Sequence, residues 1–155
     1  MSLITYPLRQ QTPKPNNSDF LDRPGRYGTT LYNPEGRHLA IDLAAREGTD
    51  ALAVLPGHVT HAGPYGALGN AIAFIDDRYG YEWWYAHLSR VRVTRGTRIE
   101  RGQHIGDVGH TGNASGDHLH LAVLAAPLIG RPWGSLPFID PYPLLLDAWR
   151  DLDNA

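Results

Sequence analysis

Residues 70–88 read NAIAFIDDRYGYEWWYAHL, and this stretch decides the fold. Ala71, Ala73 and Ile75 alternate with Ile72 and Phe74, so the two sets fall on opposite faces of an extended chain. Asp76 and Asp77 mark its solvent end. Asp77-Arg78-Tyr79-Gly80 then closes a hairpin onto YEWWYAHL, where Trp83, Trp84 and Tyr85 alternate sides.

Outward from the hairpin the texture stays β. Upstream, YGTTLYN (27–33) and HLAIDLAA (38–45) read as strands, and ALAVLPGHVTHAG (51–63) as a strand bent or bulged at Pro56-Gly57. Downstream, VRVTRGTRIERGQHIGDVG (91–109) holds two Gly-centred turns, at Gly96 and Gly102. GHTGNASG (109–116) is a glycine-rich loop, and DHLHLAVLA (117–125) is a further strand. PLLLDAWRDLDN (143–154) differs: Leu144, Leu145, Ala148 and Trp149 recur three or four apart, which predicts a short terminal helix. Residues 1–26 mix Pro, Asn, Ser and charge without a period and read as an irregular N-terminal arm. It is either flexible or wrapped over the core, with Phe20 and Leu21 available to pin it. The expectation is one mainly β domain over 27–155, built on antiparallel sheet, with that arm in front.

Composition agrees with this and narrows the function. With 17 Gly and 12 Pro in 155 residues, turns are too frequent for a helical bundle. A formal charge of -2 argues against a nucleic-acid binder, whose phosphate contacts need a basic surface. Without cysteine there is no disulfide, no thiolate metal site and no cysteine nucleophile, so a metal must be held by His, Asp or Glu. No run approaches the roughly 18 apolar residues of a membrane span. The opening MSLITYPLRQQTPKP has no basic-then-apolar leader pattern, so no signal peptide is visible. A cytoplasmic protein, export by another route, and a sequence that begins after its leader all stay open.

Eight histidines remain to be explained. His118 and His120 sit at i and i+2 of a strand, so their rings share a face while Leu119 and Leu121 take the other. Two unpaired imidazoles are costly to bury, so that face is either solvated or holds a metal or catalytic centre. His38 and Asp42 lie four residues apart, about 13 Å along an extended strand. They can meet at one ion only if the chain bends near Ala40; otherwise they have unrelated roles. His87 ends its strand, where a capping or core hydrogen bond is the alternative to function. His58, His61, His104 and His110 lie among Gly and polar residues and read as solvated loop positions.

Taken together, HLAID (38–42), YAHL (85–88) and GHTGNASGDHLH (109–120) resemble, in order, the H-x-G-x-D, YAHL and G-x-T-G-x-S/T-G-x-H-L-H motifs of the LytM/lysostaphin-type peptidoglycan endopeptidases, peptidase family M23. The resemblance extends over roughly residues 24–143. Ala40 stands in place of the usual Gly, Asp117 where Pro is common, and Leu121-Ala122 where Phe-Glu is common. The resemblance implies one zinc ion held by His38, Asp42 and His120, with His87 and His118 as catalytic histidines. It also implies peptidoglycan peptides as substrate, with Tyr85 and Asn113 as candidate substrate contacts; that substrate class leads one to expect a periplasmic or extracellular protein, a phage association stays open, and the oligomeric state is open, with a monomer compatible. Three rivals remain. One is a weakly active or inactive zinc-containing module that binds or regulates the cell wall. Another is a structural phage-tail component. The third is a cupin, which would need a glutamate ligand soon after HxH where Val123, Leu124 and Ala125 stand.

Overall fold

The structure is a computed structural model and describes residues 1–22 and 35–154; the expected strand at 27–33 lies outside the described residues. Its strands are β1 (Ile41–Ala44), β2 (Asp50–Leu52), β3 (Gly57–Pro64), β4 (Asn70–Asp76), β5 (Glu82–Leu88), β6 (Arg90–Val91), β7 (Arg98–Ile99), β8 (His104–Asp107), β9 (His118–Leu124) and β10 (Phe138–Ile139). A 3-10 turn spans Gly66–Leu68, and among the described residues one α-helix, α1 (Tyr142–Asp153), follows the strands. The larger sheet runs β1-β9-β5-β4-β3-β7, with β10 also paired to β9, and a smaller sheet runs β2-β8-β6. Every ladder is antiparallel.

The alternation at 70–88 is what gives the large sheet two faces. Ile72, Phe74, Trp83, Tyr85, Leu119 and Leu121 point into the main core, closed by Leu145 and Ala148 of α1. Ala71, Ala73, Trp84, Ala122 and Leu124 point the other way, into a smaller apolar cluster covered by Leu128 and bordered by Trp133 and Phe138. A charge lies buried in that layer. Glu82 accepts from Trp84 Nε1 at 2.7 Å, from Leu128 N at 2.9 Å and from Thr60 Oγ1 at 2.9 Å, which satisfies a carboxylate that burial would otherwise penalise.

The start of the chain is irregular yet packed. Ile4, Tyr6 and Leu8 are buried in the main core, Leu8 bridges Ala51, and Thr5 N donates to Val54 O. Tyr6 Oη donates to the Pro13 carbonyl. Their i, i+2, i+4 spacing is a strand-like signal inside a Pro-rich segment. Phe20 packs against the same core, whereas Leu21 is exposed.

Candidate metal centre

The register of β1 against β9 builds the centre. Asp42 lies directly opposite His120 and Ala44 opposite His118, while Leu43 and Leu119 pair on the core side. HxH on one strand and Asp on the next thus face one another on the small-cluster side of the sheet. His38 reaches the same place because the chain bends at Ala40 before β1 begins. Ala40 is not among the described residues with positive φ. Alanine is therefore tolerated where the resemblance led one to expect glycine.

Three imidazole nitrogens surround one carboxylate oxygen. Asp42 Oδ1 is 3.3 Å from His38 Nε2, 3.3 Å from His120 Nδ1 and 3.5 Å from His118 Nε2. Nevertheless Asp42 Oδ1 is buried and makes no hydrogen bond. Leaving such a group unsatisfied costs about 1–3 kcal/mol or more. A cation at the focus removes that cost. Ligands at ordinary Zn–N and Zn–O lengths in a tetrahedron stand about 3.3 Å apart, which is the spacing found. The donor set of two neutral imidazoles and one carboxylate therefore fits a divalent ion of zinc's size. A second triad, His87, His118 and His120, also converges and shares His120.

The electrostatics point the same way. Burial resists the ionised form of Asp42, but His120 and His38 prevail and hold it well below the usual carboxylate range. Burial also resists charge on His38, yet Asp19 and Asp42 outweigh it and push its pKa up to about 9. His120 goes the other way: burial lowers its pKa, and Asp42 only partly offsets that. The cluster thus favours one positive charge, on the side where two carboxylates lie.

His87 arrives by a bulge. Along β5 and β4, Tyr85 pairs with Ile72 and Leu88 with Asn70, so three steps on β5 match two on β4. The extra residue is accommodated by His87 at φ 61°. Without it, His87 would follow Trp83 and Tyr85 into the main core. With it, the ring lies 4.9 Å from that of His118 and 5.5 Å from that of His120. His87 Nδ1 donates to Thr111 O at 2.8 Å, and His118 Nδ1 donates to Gly116 O at 2.8 Å. Carbonyl oxygens only accept, so each ring is held as the Nδ1–H form and presents Nε2 to the cleft. Burial, reinforced by the neighbouring His120 and His118 and opposed by the Thr111 hydrogen bond, pulls the His87 pKa down to about 4.

The glycine-rich loop holds Thr111 in place. Thr111 Oγ1 donates to Leu88 O at 2.7 Å and accepts from Asn70 N at 3.0 Å. Next to it, Gly112 (φ 74°) is so close to the 66–69 turn that a Cβ would lie 2.3 Å from Gly69 N.

Several expectations need correction. Tyr85 is fully buried on the main-core side; its hydroxyl donates to Leu52 O and accepts from Val54 N, so it cannot touch a substrate. His58, His61 and His104 are strand residues, not loop positions. His61 stacks on Trp84 at 5.4 Å, and His104 bonds Asp107 at 2.6 Å. Asn113 is exposed at the loop tip, its N–H donating to Ala67 O. His58 and His110 are exposed, and His110 pairs with Asp117 at 2.6 Å. Asp19 went unnoticed in the sequence because nothing in its polar surroundings marks it. It is buried, 3.3 Å from His38 Nδ1, and accepts from Asp42 N at 2.5 Å. Trp133, 6.5 Å from the His120 ring, was also missed.

The sequence profile of peptidase family M23 matches residues 36–127, a span that includes every residue of both triads. A DD-carboxypeptidase/endopeptidase, Mpg, of Neisseria meningitidis serogroup B is 38% identical over 111 residues, 72% of this chain and 25% of that protein. The chain thus spans about a quarter of the length of that curated relative. Among solved structures, the catalytic domain of the antimicrobial peptidase lysostaphin from Staphylococcus simulans superposes with a TM-score of 0.65 at 31% identity. That match covers 77% of this chain and 87% of the other. A mutant catalytic domain of the prophage-encoded M23 protein EnpA from Enterococcus faecalis gives 0.61 at 28%, over 88% and 95%. Likeness of sequence and likeness of fold thus agree, and the chain belongs to peptidase family M23, with a LytM/lysostaphin-type domain.

Proposed function

We propose that the protein is a zinc-dependent endopeptidase that hydrolyses peptide bonds in the stem or cross-bridge peptides of peptidoglycan. His38, Asp42 and His120 would hold the ion, and His87 and His118 would be the catalytic histidines. The observation that carries the reading is the buried Asp42 Oδ1, ringed by imidazole nitrogens at 3.3–3.5 Å and bonded to none. The triad of His38, Asp42 and His120 is preferred to that of His87, His118 and His120 because it includes a carboxylate, whose charge offsets that of the ion.

When bound, zinc would polarise the scissile carbonyl and lower the pKa of a water at its open position. The chain's own residues do the rest. Nδ1–H of His87 and of His118 is committed to a backbone carbonyl, so Nε2 is the atom that takes up a proton or returns one to the leaving amine. A protonated Nε2 also donates to the developing oxyanion. No glutamate on a zincin-type helix is present in the sequence to act as base, and the paired imidazoles supply that function. The relatives' names, an endopeptidase and an antimicrobial peptidase, support a peptide substrate. A wall substrate implies work in the periplasm or outside the cell.

The test is digestion of purified sacculi with and without a chelator, followed by mass analysis of the released fragments. New amine termini that vanish on chelation and return with zinc are expected. Unchanged sacculi with a fully zinc-loaded protein would instead make it a wall-binding module.

A further inference from the structure

We infer that Asp19 is a positioning residue of the metal centre, carried by the segment that precedes the family-matched span and holding His38 and Asp42 in the geometry that ligation requires. The inference rests on the zinc reading above.

Three contacts of Asp19, including both of its carboxylate oxygens, go to the proposed ligands. Its Oδ2 accepts the backbone N–H of Asp42 at 2.5 Å. Its Oδ1 lies 3.3 Å from His38 Nδ1, and its own carbonyl oxygen lies 3.2 Å from that nitrogen. Two acceptors facing Nδ1 require a proton there, which makes Nε2, 3.3 Å from Asp42 Oδ1, the nitrogen that would ligate the ion. The contact to Asp42 N acts on the other side of the bend. It holds the first turn of backbone into β1, and so sets where the Asp42 carboxylate stands opposite His120. One buried side chain therefore spans the bend at Ala40 and fixes both of its arms.

The backbone on either side ties Asp19 down. Asp22 N donates to Asp19 O, Leu21 N donates to His38 O at 2.7 Å, and His38 N donates to Asp22 O at 2.9 Å. Residues 19–22 and 38 thus form a small backbone clasp that includes Asp19. Family M23 matches this chain only from residue 36, so the clasp adds a component from outside that span.

A carboxylate that only stabilised the fold would behave differently from one that positions ligands, and zinc affinity separates the two. The measurement is competition for Zn2+ between a chromophoric chelator and the full chain, for the parent, Asp19→Asn and Asp19→Ala, with thermal unfolding of each metal-free protein alongside. Asparagine keeps the volume, but its amide can accept from Asp42 N only by turning N–H donors toward His38 Nδ1–H. Zinc affinity is expected to fall roughly 10–100-fold in both variants, the range for outer-shell partners of metal-bound histidines. Variants that unfold more easily without metal yet, when folded, bind zinc as tightly as the parent would overturn the inference. Should Asp19→Ala fail to fold, Asp19→Asn decides alone. A parent chain that binds no zinc would overturn the zinc reading and this inference together, whereas normal parent binding with unchanged variants removes only the role of Asp19.

Discussion

The backbone carbonyl of Thr111 accepts a hydrogen bond from His87 Nδ1 at 2.8 Å, so the glycine-rich loop sets the tilt of a ring on a different strand. Gly112 lets the loop approach the 66–69 turn closely enough for this. Gly112→Ala would combine a left-handed φ with a clash against backbone, and Thr111 must move. We expect kcat on a peptidoglycan peptide to fall by up to about 100-fold, the effect of a misplacement near 1 Å. Zinc content should not change. Loss of zinc along with activity would mean that the loop supports the ligands rather than His87.

Asp42 is the only carboxylate of its triad and the only group there that balances the ion's charge. Asp42→Ala should lower zinc affinity by more than the roughly 100-fold upper range for outer-shell partners. The same loss is expected for His120→Ala. Elemental analysis after dialysis against a weak chelator reads this directly; parental zinc content in His120→Ala would refute the ligand assignment.

Acid stability should depend on a pair that belongs to neither histidine triad. Arg92 grips Asp107 with Nε at 2.9 Å and Nη2 at 2.8 Å. Arg92, together with a hydrogen bond from His104, holds the Asp107 carboxyl below its usual range against a smaller opposing effect of burial. A carboxylate whose folded pKa is depressed stabilises the fold fully above the unfolded value, near pH 3.9. That stability is lost as pH falls through the lower, folded value. Asp107→Asn should therefore lower stability at neutral pH and flatten its decline below about pH 4. Urea midpoints measured across pH provide the check, and parallel acid limbs for parent and variant would contradict it.

Glu82 gives the clearest stability prediction. Removing its carboxylate strands Trp84 Nε1 and the Leu128 N–H in an apolar layer. At about 1–3 kcal/mol for each buried donor left unpaired, Glu82→Ala should destabilise by about 2–6 kcal/mol in urea unfolding. Glu82→Leu should be no better, because the same donors remain.

What the sequence reveals here is whatever depends on a period. The alternation of 70–75 placed Ala71 and Ala73 against Ile72 and Phe74 on the two faces they occupy, and HxH needed only the same rule. The bend at Ala40 followed from reach alone: His38 and Asp42 cannot meet along an extended strand. Other features have no period to read. A histidine at positive φ carries no sequence mark, so the bulge that turns His87 out of the core stays hidden. Tyr85 was misplaced for the same reason in reverse: its aromatic ring and hydroxyl suit a binding surface as well as a core, and only Leu52 O and Val54 N show which it serves. Asp19 reaches its partners through tertiary contact alone. Ile4, Tyr6 and Leu8 did carry an alternating signal, masked by the prolines around them.

The added residue in β5 has a consequence for anyone who recombines this domain with its relatives. Parity along a strand is a counting property, and substitution cannot restore it. Drawing the Trp83–Leu88 stretch out into an even pleat, with no residue lost, would rotate His87 inward and carry Leu88 out to the cleft, even with every side-chain identity in the motif preserved. Chimeras should therefore be joined outside this strand, so that the bulge travels together with its partner stretch of β4.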